Sequence, residues 1–561
     1  MLLAAGALHL PERAEAQGAV THRTNQDTPR VGEREAVRTA ERESEVAEAR
    51  REHPDLHPSP SRAESDRDWE VGFFAEDRQL VQVVIDDQSG EVEEVWTGDQ
   101  VAWRMARGYE GAFGRTLNAP YVWLPLCAAF LIGLFDWRRP LRIAHLDLLA
   151  IVAGFGLSHF FFNRGEIGLS VPLAYPALLY LLARSLWLGF RGGAGLSPRA
   201  PLAVLAIATM VLIGFRVGLN VADSNVIDVG YAGVIGADKI ADREPLYGEF
   251  PNDNLHGDTY GPAAYYAYVP FEQLLPWSGD WDDLPAAHAA AIFFDLATIA
   301  ALFVLGLGLR PGAAGRTLGV TLAFAWTACP YTAFALESNT NDSLVPLLLV
   351  LSLLALSSPP ARGALLALAS LTKFAPLALA PLFATYDPAP RAGGTAGGPI
   401  RGRIAARGMG GTAVTGPARR GLWVIGGFSA AFVVTTLVVM AETLFDPGLS
   451  EFWERTVHNQ LDRESPFSIW GQAPSLDWLQ TAVTVAAAGL AVAVAFVPRR
   501  RDVATVAALG AAVLIATQLG VDHWFYLYIP WFLPLLLVAL LAGEGNASAR
   551  PASGPGVRSR G

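Results

Sequence analysis

Lys373 stands near the centre of an apolar segment, in the run Leu-Thr-Lys-Phe-Ala-Pro. A cation in such a place is costly unless it faces a polar cavity or an anion, so it reads as a functional group. The competing account is a lysine that snorkels to the segment's end, which its central position disfavours. A second source of chemistry is a long acidic loop, residues 220–285, carrying twelve Asp or Glu against one Lys and one Arg. Most loop carboxylates are solvated and inert. Asp223 and Asp228 differ because they lie nearest the exit of the preceding apolar helix. A partly apolar interface raises a carboxyl toward the pKa of a general base, and Asp228 heads the list.

Further polar groups sit at the ends of other apolar runs. Residues 337–342 read Glu-Ser-Asn-Thr-Asn-Asp just before a span. Asn341 and Asp342 suit a helix N-cap and its dipole, with substrate contact as a second reading. Residues 442–478 contain Arg455, Gln460, Arg463 and Trp470. Guanidinium forks grip phosphate and an indole face stacks on a sugar ring, but an interfacial helix with an aromatic belt accounts for them equally. His523, in Asp-His-Trp, opens the last apolar run as a capping group or as a phosphate ligand. No spacing of His, Cys and Asp has the pattern of zinc ligands, and neither a structural metal nor a cofactor is expected. Cys127 and Cys329 fall within apolar runs and read as small hydrophobes, leaving the redox compartment open.

The elements that must position these groups are membrane spans. The chain has 561 residues, is 52% hydrophobic and only 17% charged, with mean hydropathy +0.30. Its apolar residues are grouped in runs of the length that crosses a bilayer. Spans are expected at 119–136, 145–162, 169–190, 201–219, 286–308, 317–335, 343–358, 421–441, 479–497, 503–520 and 524–542, an all-α polytopic membrane protein of about eleven spans. The net charge of −11 is uneven, with acid in the long loop and N-terminal region and Arg in the short connections. That excludes nucleic acid as a partner and fits a bilayer that sorts charge. Arg138, Arg139 and Arg142 mark one connection as cytoplasmic; Arg184, Arg191 and Arg199, then Arg310 and Arg316, then Arg499 to Arg501 mark others. The N-terminus, loops 220–285 and 442–478, and Asp522-His523 then share the outside, and the tail 543–561 is cytoplasmic and disordered. Residues 363–383 break this parity, since Arg362 precedes them and the Arg-rich stretch 391–420 follows. With Lys373 and Pro376 at its middle, this segment is expected to be a re-entrant hairpin entering from the cytoplasm.

Ahead of the spans, residues 1–10 are apolar but too short to cross, and Ala14-Glu15-Ala16 has the form of a signal-peptidase site, so a signal remnant and a frayed tail are both open. Residues 21–68 are rich in Glu, Arg, Ser and Pro and are expected to be disordered or loosely helical. Residues 69–110 read as a small α+β domain outside the membrane. Its strands are Trp69 to Phe74, Leu80 to Ile85 and Val92 to Trp96, its turn is Asp86-Asp-Gln-Ser-Gly90, and a short helix is capped by Thr97. The Val-x-Val-x-x-Asp-x-x-x-Gly-x-Val pattern resembles PepSY-type domains.

Asp228-Val-Gly-Tyr231, a helix-like run to Pro245-Leu-Tyr247, then Tyr260-Gly-Pro262 and Pro270 together resemble the first external loop of GT-C glycosyltransferases. Most similar is the family of polyprenol-phosphate-mannose-dependent mannosyltransferases, glycosyltransferase family 87, over about residues 215–542. Gly261 stands where that family has the first proline of Tyr-Pro-Pro, and the loop is longer than usual. The resemblance implies an inverting transfer of a mannose-like sugar from a polyprenyl-phosphate donor to a glycan or glycolipid acceptor at the plasma membrane. It implies a base at Asp228, with Asp223 second, and donor-phosphate contacts from Lys373, Arg463 and His523. Substrate contacts would come from Tyr231, Tyr247, Tyr260, Asn341, Asp342, Arg455, Gln460 and Trp470. The chemistry needs no nucleotide-binding fold, because polyprenyl phosphate is itself the leaving group. The rival reading is a transporter or flippase for a lipid-linked or small solute, which also places a charge on a broken helix. A sensor or scaffold built on the N-terminal domain would leave Lys373 and the acidic loop unexplained.

Overall fold

The computed structural model describes residues 31–62, 68–75, 78–97, 101, 115–193, 195–251, 254, 256–387, 417–458, 460, 465–498 and 501–543. Arg463, the segment 1–30, most of the basic stretch 391–420, most of the helix expected after Thr97 and nearly all of the tail lie outside them. The chain divides into two compact units, Met1–Val101 and Ala102–Gly561.

In the first unit, strands β1 (His57–Arg62), β2 (Asp68–Ala75), β3 (Arg78–Asp86) and β4 (Val92–Thr97) form an antiparallel meander in the order β1-β2-β3-β4. Alternation puts Trp69, Val71, Phe73 and Ala75 of β2 and Val81, Val83 and Ile85 of β3 in one core. The β3–β4 turn forms as expected, with the Asp86 side chain accepting the Gln88 and Ser89 N–H groups and Gly90 at φ +72°. Residues 33–62, expected to lack a core, instead form helices α1 (Glu33–Ala40) and α2 (Ser44–Glu52) and the strand β1. Ala36, Ala40, Val46 and Leu56 are too few to dominate their charged surroundings, yet they fall where the sheet needs cover. Pro58 and Pro60 are tolerated because β1 is an edge strand.

The second unit is that of a multi-pass membrane protein. Among the described residues, six helices are long and apolar enough to cross a bilayer: Ile143–Phe162, Ile167–Arg191, Leu202–Asp223, Pro285–Leu309, Gly421–Val439 and Pro474–Ala493. A bent pair, Gly312–Ala328 and Pro330–Glu337, makes a seventh if counted as one span. Other expected spans are shorter apolar helices, such as Pro120–Leu134 and Val503–Leu519, so six or seven of the eleven expected spans are matched by spanning helices. Apolar runs continue past the points where proline and polar pairs end the helix. The 59° bend lies at Cys329–Pro330. Pro330 has no N–H and holds Cys329 extended, and the carbonyls of Trp326 and Thr327 accept Arg216 Nη1 at 3.4 and 3.3 Å.

The stretch around Lys373 doubles back. Helix Pro359–Thr372 stops at Lys373, which is extended (φ −140°, ψ 138°), and a 3-10 turn Ala375–Leu379 leads to a short helix Ala380–Ala384. Arg362, fully buried, donates to the carbonyls of Leu356 (2.6 Å), Phe383 (2.8 Å) and Tyr386 (2.7 Å). Residues 383–386 therefore return beside the start of the helix they left.

Two sequence assignments change. Arg184 is no loop charge: it is buried within Ile167–Arg191 and grips Asp147 with two bonds, at 2.7 and 2.9 Å, while Tyr180 donates to the same carboxylate at 2.7 Å. Asp223 is the last residue of Leu202–Asp223 and not part of the loop beyond it. That loop is itself structured, with helix Asp228–Asp242, a 3-10 turn Gly257–Thr259, and helices Pro262–Tyr266 and Val269–Glu272.

Removing one partner of a buried pair leaves an uncompensated charge, a loss of about 3–5 kcal/mol. Asp147→Leu alone should therefore lower the apparent melting temperature in detergent strongly. Combining it with Arg184→Leu should restore most of the loss, and additive losses would show that the two groups do not act as a pair.

Candidate functional site

Lys373 is buried at the tip of the doubled-back segment, where three distant parts of the chain meet it. Its Nζ lies 3.7 Å from Asp342 Oδ1, 4.0 Å from the Tyr260 ring centre and 5.9 Å from that of Trp531. Trp531 Nε1 donates to the same Asp342 oxygen at 2.9 Å and so fixes the carboxylate. An ammonium between two aromatic faces is held by their quadrupoles, and more strongly where water is excluded. Asp342 belongs to a 3-10 turn, Asn341–Ser343, capped by the Thr340 side chain. Residues 337–343 are polar yet wholly buried. Both ends of the Asn341 amide, Asp342 Oδ2, Ser343 Oγ and the nearby Tyr268 OH have no hydrogen-bond partner among the described residues. Such groups are costly when left unmade, so this pocket wall is chemically unsaturated.

The turn that carries Tyr260 is braced from two sides. Tyr247 OH donates to the Tyr260 carbonyl (2.9 Å), and Tyr265 OH bridges Gly257 O (2.7 Å) and Tyr260 N–H (3.2 Å). From the second long loop, Gln460 Nε2 donates to Thr259 Oγ1 (2.7 Å) and Arg455 Nε lies 3.7 Å from Asp258 Oδ2. Asp258 Oδ2 also accepts the Gly248 N–H at 2.8 Å. Gly261 packs directly on the Leu371 carbonyl, leaving no room for a Cβ. Glycine at position 261 thus lets the turn settle onto the helix that ends at Lys373. Burial pushes the Asp258 carboxyl above its ordinary range, with the Gly248 N–H and Arg455 drawing it part of the way back.

Of the residues singled out from sequence, Lys373, Asp342, Asn341 and Tyr260 come together here. Tyr247, Arg455 and Gln460 stand one step away and hold the Tyr260 turn. Tyr231 stacks on Trp281 at 4.8 Å and anchors helix Asp228–Asp242, and Trp470 donates to the Leu519 carbonyl at 3.0 Å. Both do structural work where they are buried. His523 pairs with Ser465 Oγ at 2.9 Å and adjoins Tyr528, which stacks on Trp531 at 4.3 Å. Asp228 is exposed at the first position of its helix, with its carbonyl accepting from Asn254 at 3.0 Å. The chain just before it is fastened to the polar segment, since Ile227 N–H donates to Ser338 O and Gly230 abuts the Asn339 carbonyl. Asp223 is exposed and accepts the Thr116 N–H at 3.2 Å. Arg463 lies outside the described residues.

The sequence reading missed Trp531, Asp258 and Tyr268. Trp531 sits in an apolar helix and Asp258 among other loop acids, so neither carries a local signal. Among the described residues no three or more His, Cys, Asp or Glu are grouped to hold a metal ion. No known family profile matches the chain, and no curated protein matches it.

The raised Asp258 pKa has a definite sign. The folded protein binds that proton more tightly than the unfolded chain, so its contribution is greatest below the ordinary value of 3.8 and declines as pH rises past it to the raised value. The melting temperature of the natural protein should fall across that window relative to Asp258→Asn. Parallel curves for the two would show that the burial of Asp258 is not felt.

Proposed function

We propose that the protein is a membrane glycosyltransferase that moves a mannose-like sugar from a polyprenyl-phosphate donor to an acceptor at the outer face of the plasma membrane. The observation that carries this reading is the setting of Lys373. One cation, two aromatic faces and a set of unsatisfied amide, hydroxyl and carboxylate groups converge at the tip of a doubled-back segment. A sugar phosphate offers the matching chemistry: an anion for the ammonium, a ring for the aromatics and hydroxyls for Asn341, Asp342 and Ser343. In this reading 359–386 is the re-entrant hairpin, its two ends cytoplasmic, its tip beneath the external loops, and irregular backbone is tolerated because protein encloses it.

The reaction is a single displacement. The acceptor hydroxyl oxygen bonds to the anomeric carbon, the bond from that carbon to the phosphate oxygen breaks, and the proton passes to Asp228. Polyprenyl phosphate leaves with the bonding electrons, its charge met by Lys373. Asp228 is open to water, as a base for a water-borne acceptor must be. His523 and Arg455 support the site from behind Trp531 and Tyr260.

Purified protein given a polyprenyl-phosphate sugar and an acceptor glycan should release polyprenyl phosphate. Asp228→Asn should lose turnover by roughly 100-fold or more while keeping donor binding. Lys373→Ala should weaken donor binding by about 10- to 100-fold, the value of a charge-assisted hydrogen bond. Undiminished turnover in the first variant removes Asp228 as the base, and unchanged donor affinity in the second removes Lys373 from the donor site. Movement of intact lipid-linked sugar across vesicles, without bond cleavage, would establish transport instead.

A further inference from the structure

A second polar system lies on the other side of the 337–343 segment and has no part in the sugar-transfer scheme. Helix Leu202–Asp223 sets Arg216, Asn220 and Asp223 on one face, four and three residues apart. At the outer end Asp223 is exposed. Next inward, His288 Nδ1 lies 3.3 Å from Ser224 Oγ and 3.2 Å from Asn220 Oδ1, and Asn339 Nδ2 donates to Ser224 Oγ at 2.9 Å. Asn220 Nδ2 donates to Asn339 Oδ1 (2.8 Å) and to the Leu336 carbonyl (2.9 Å). Deeper still, Arg216 Nη2 bonds Asp295 Oδ1 at 2.9 Å, and Trp326 Nε1 donates to the same oxygen at 2.8 Å.

Glu337 faces this file. It follows Leu336 at the end of helix Pro330–Glu337, is fully buried, and has Arg216, Asp295 and Asp223 as its charged neighbours. Among the described residues neither of its oxygens receives a hydrogen bond, and Asp295 Oδ2 and Arg216 Nε are likewise without partners. The charge balance is decisive. Arg216 brings one positive charge, and Asp295 already takes it by a direct bond. An ionised Glu337 would add a second anion with no donor to either oxygen, a strongly unfavourable state in an apolar bundle. A neutral carboxyl brings its own donor and leaves the Arg216–Asp295 pair intact. Of the other titratable groups on the elements around it, Tyr331 and Cys329 at its own helix, Cys127 on Pro120–Leu134 and Tyr526 bring no cation, and Asp342 is engaged with Lys373 and Trp531. His159 packs on Tyr331 and Phe334 of the same helix, buried among aromatic rings with no partner at Nδ1 among the described residues, a setting for a neutral imidazole.

We propose that Glu337 is a proton-binding site, loaded as the neutral acid at neutral pH. It exchanges its proton with the side on which Asp223 and His288 open, through Asn220, Asn339 and Ser224. The ligand is a proton, and the site stands apart from the donor-phosphate pocket and does not depend on the sugar-transfer reading.

Infrared spectroscopy of the purified full-length protein at neutral pH tests this directly. The natural protein and Asp258→Asn should show the carbonyl stretch of a protonated carboxyl, unchanged between sodium chloride and choline chloride, and Glu337→Gln should lose it. Glu337→Asp, which keeps a carboxyl, should move the band without deleting it, so the assignment survives if the glutamine variant fails to fold. In heavy water the band should shift, and more slowly in Asn220→Leu. Absence of the band from the natural protein, its persistence in Glu337→Gln, or its appearance only when sodium is withheld would overturn the proposal. An unchanged exchange rate in Asn220→Leu would overturn the path.

Discussion

A polar group inside an apolar bundle must find its partner within the protein, and that requirement shapes the membrane unit. Arg184 and Asp147 join two candidate spans. Arg216 and Asp295 join two others and also satisfy the carbonyls released by the bend at Pro330. Arg362 gives its donors to three carbonyls near helix ends. In each case the polar group marks a place where helical geometry is broken or where two helices are held in one register. Packing alone gives little orientation between apolar helices in lipid, so these contacts carry much of it.

The same requirement explains what the sequence disclosed and what it hid. Lys373 was legible because a charge at the centre of an apolar run has no local excuse. The doubling back of its segment followed from Pro376 and the arginines on either side. Strands β2, β3 and β4 of the N-terminal sheet were legible from their apolar runs and turn signals, whereas β1, with two prolines and no apolar run, was not. Arg184 was misassigned because hydropathy sees neighbours along the chain, and its partner Asp147 is 37 residues away in a different helix. Trp531 was invisible for the reverse reason, as an apolar-run tryptophan whose one N–H happens to meet Asp342. Tyr231 and Trp470 looked like ligand-facing aromatics, but their burial against Trp281 and the Leu519 carbonyl is set by tertiary packing that no local pattern encodes. The span count exceeded the spanning helices because apolar composition persists through residues where prolines and polar turns have already ended the helix.

The two long loops act on the buried centre through one small turn. Residues 257–260 receive Tyr247 and Tyr265 from within the first loop, and Arg455 and Gln460 from the second. From the first loop, Tyr260 sets its ring centre 4.0 Å from Lys373 Nζ. A single three-residue 3-10 turn thus converts the arrangement of over a hundred loop residues into the position of one aromatic ring. Gly261 makes this possible, since any larger residue would lift the turn off the Leu371 carbonyl.

The arginines at the base of the doubled-back segment have a mechanical consequence. Arg362 ties Leu356, Phe383 and Tyr386 together, and Arg501 adds bonds to the carbonyls of Leu382, Val494 and Ala495. From that clamp the outgoing helix of 14 residues runs about 21 Å at 1.5 Å per residue before it stops. The return limb is partly 3-10, with weaker hydrogen bonding than the outgoing one. The segment is therefore a cantilever with one stiff and one compliant arm. Any load applied at its tip, through Asp342, Tyr260 or Trp531, bends the compliant arm first and leaves the clamped end in register.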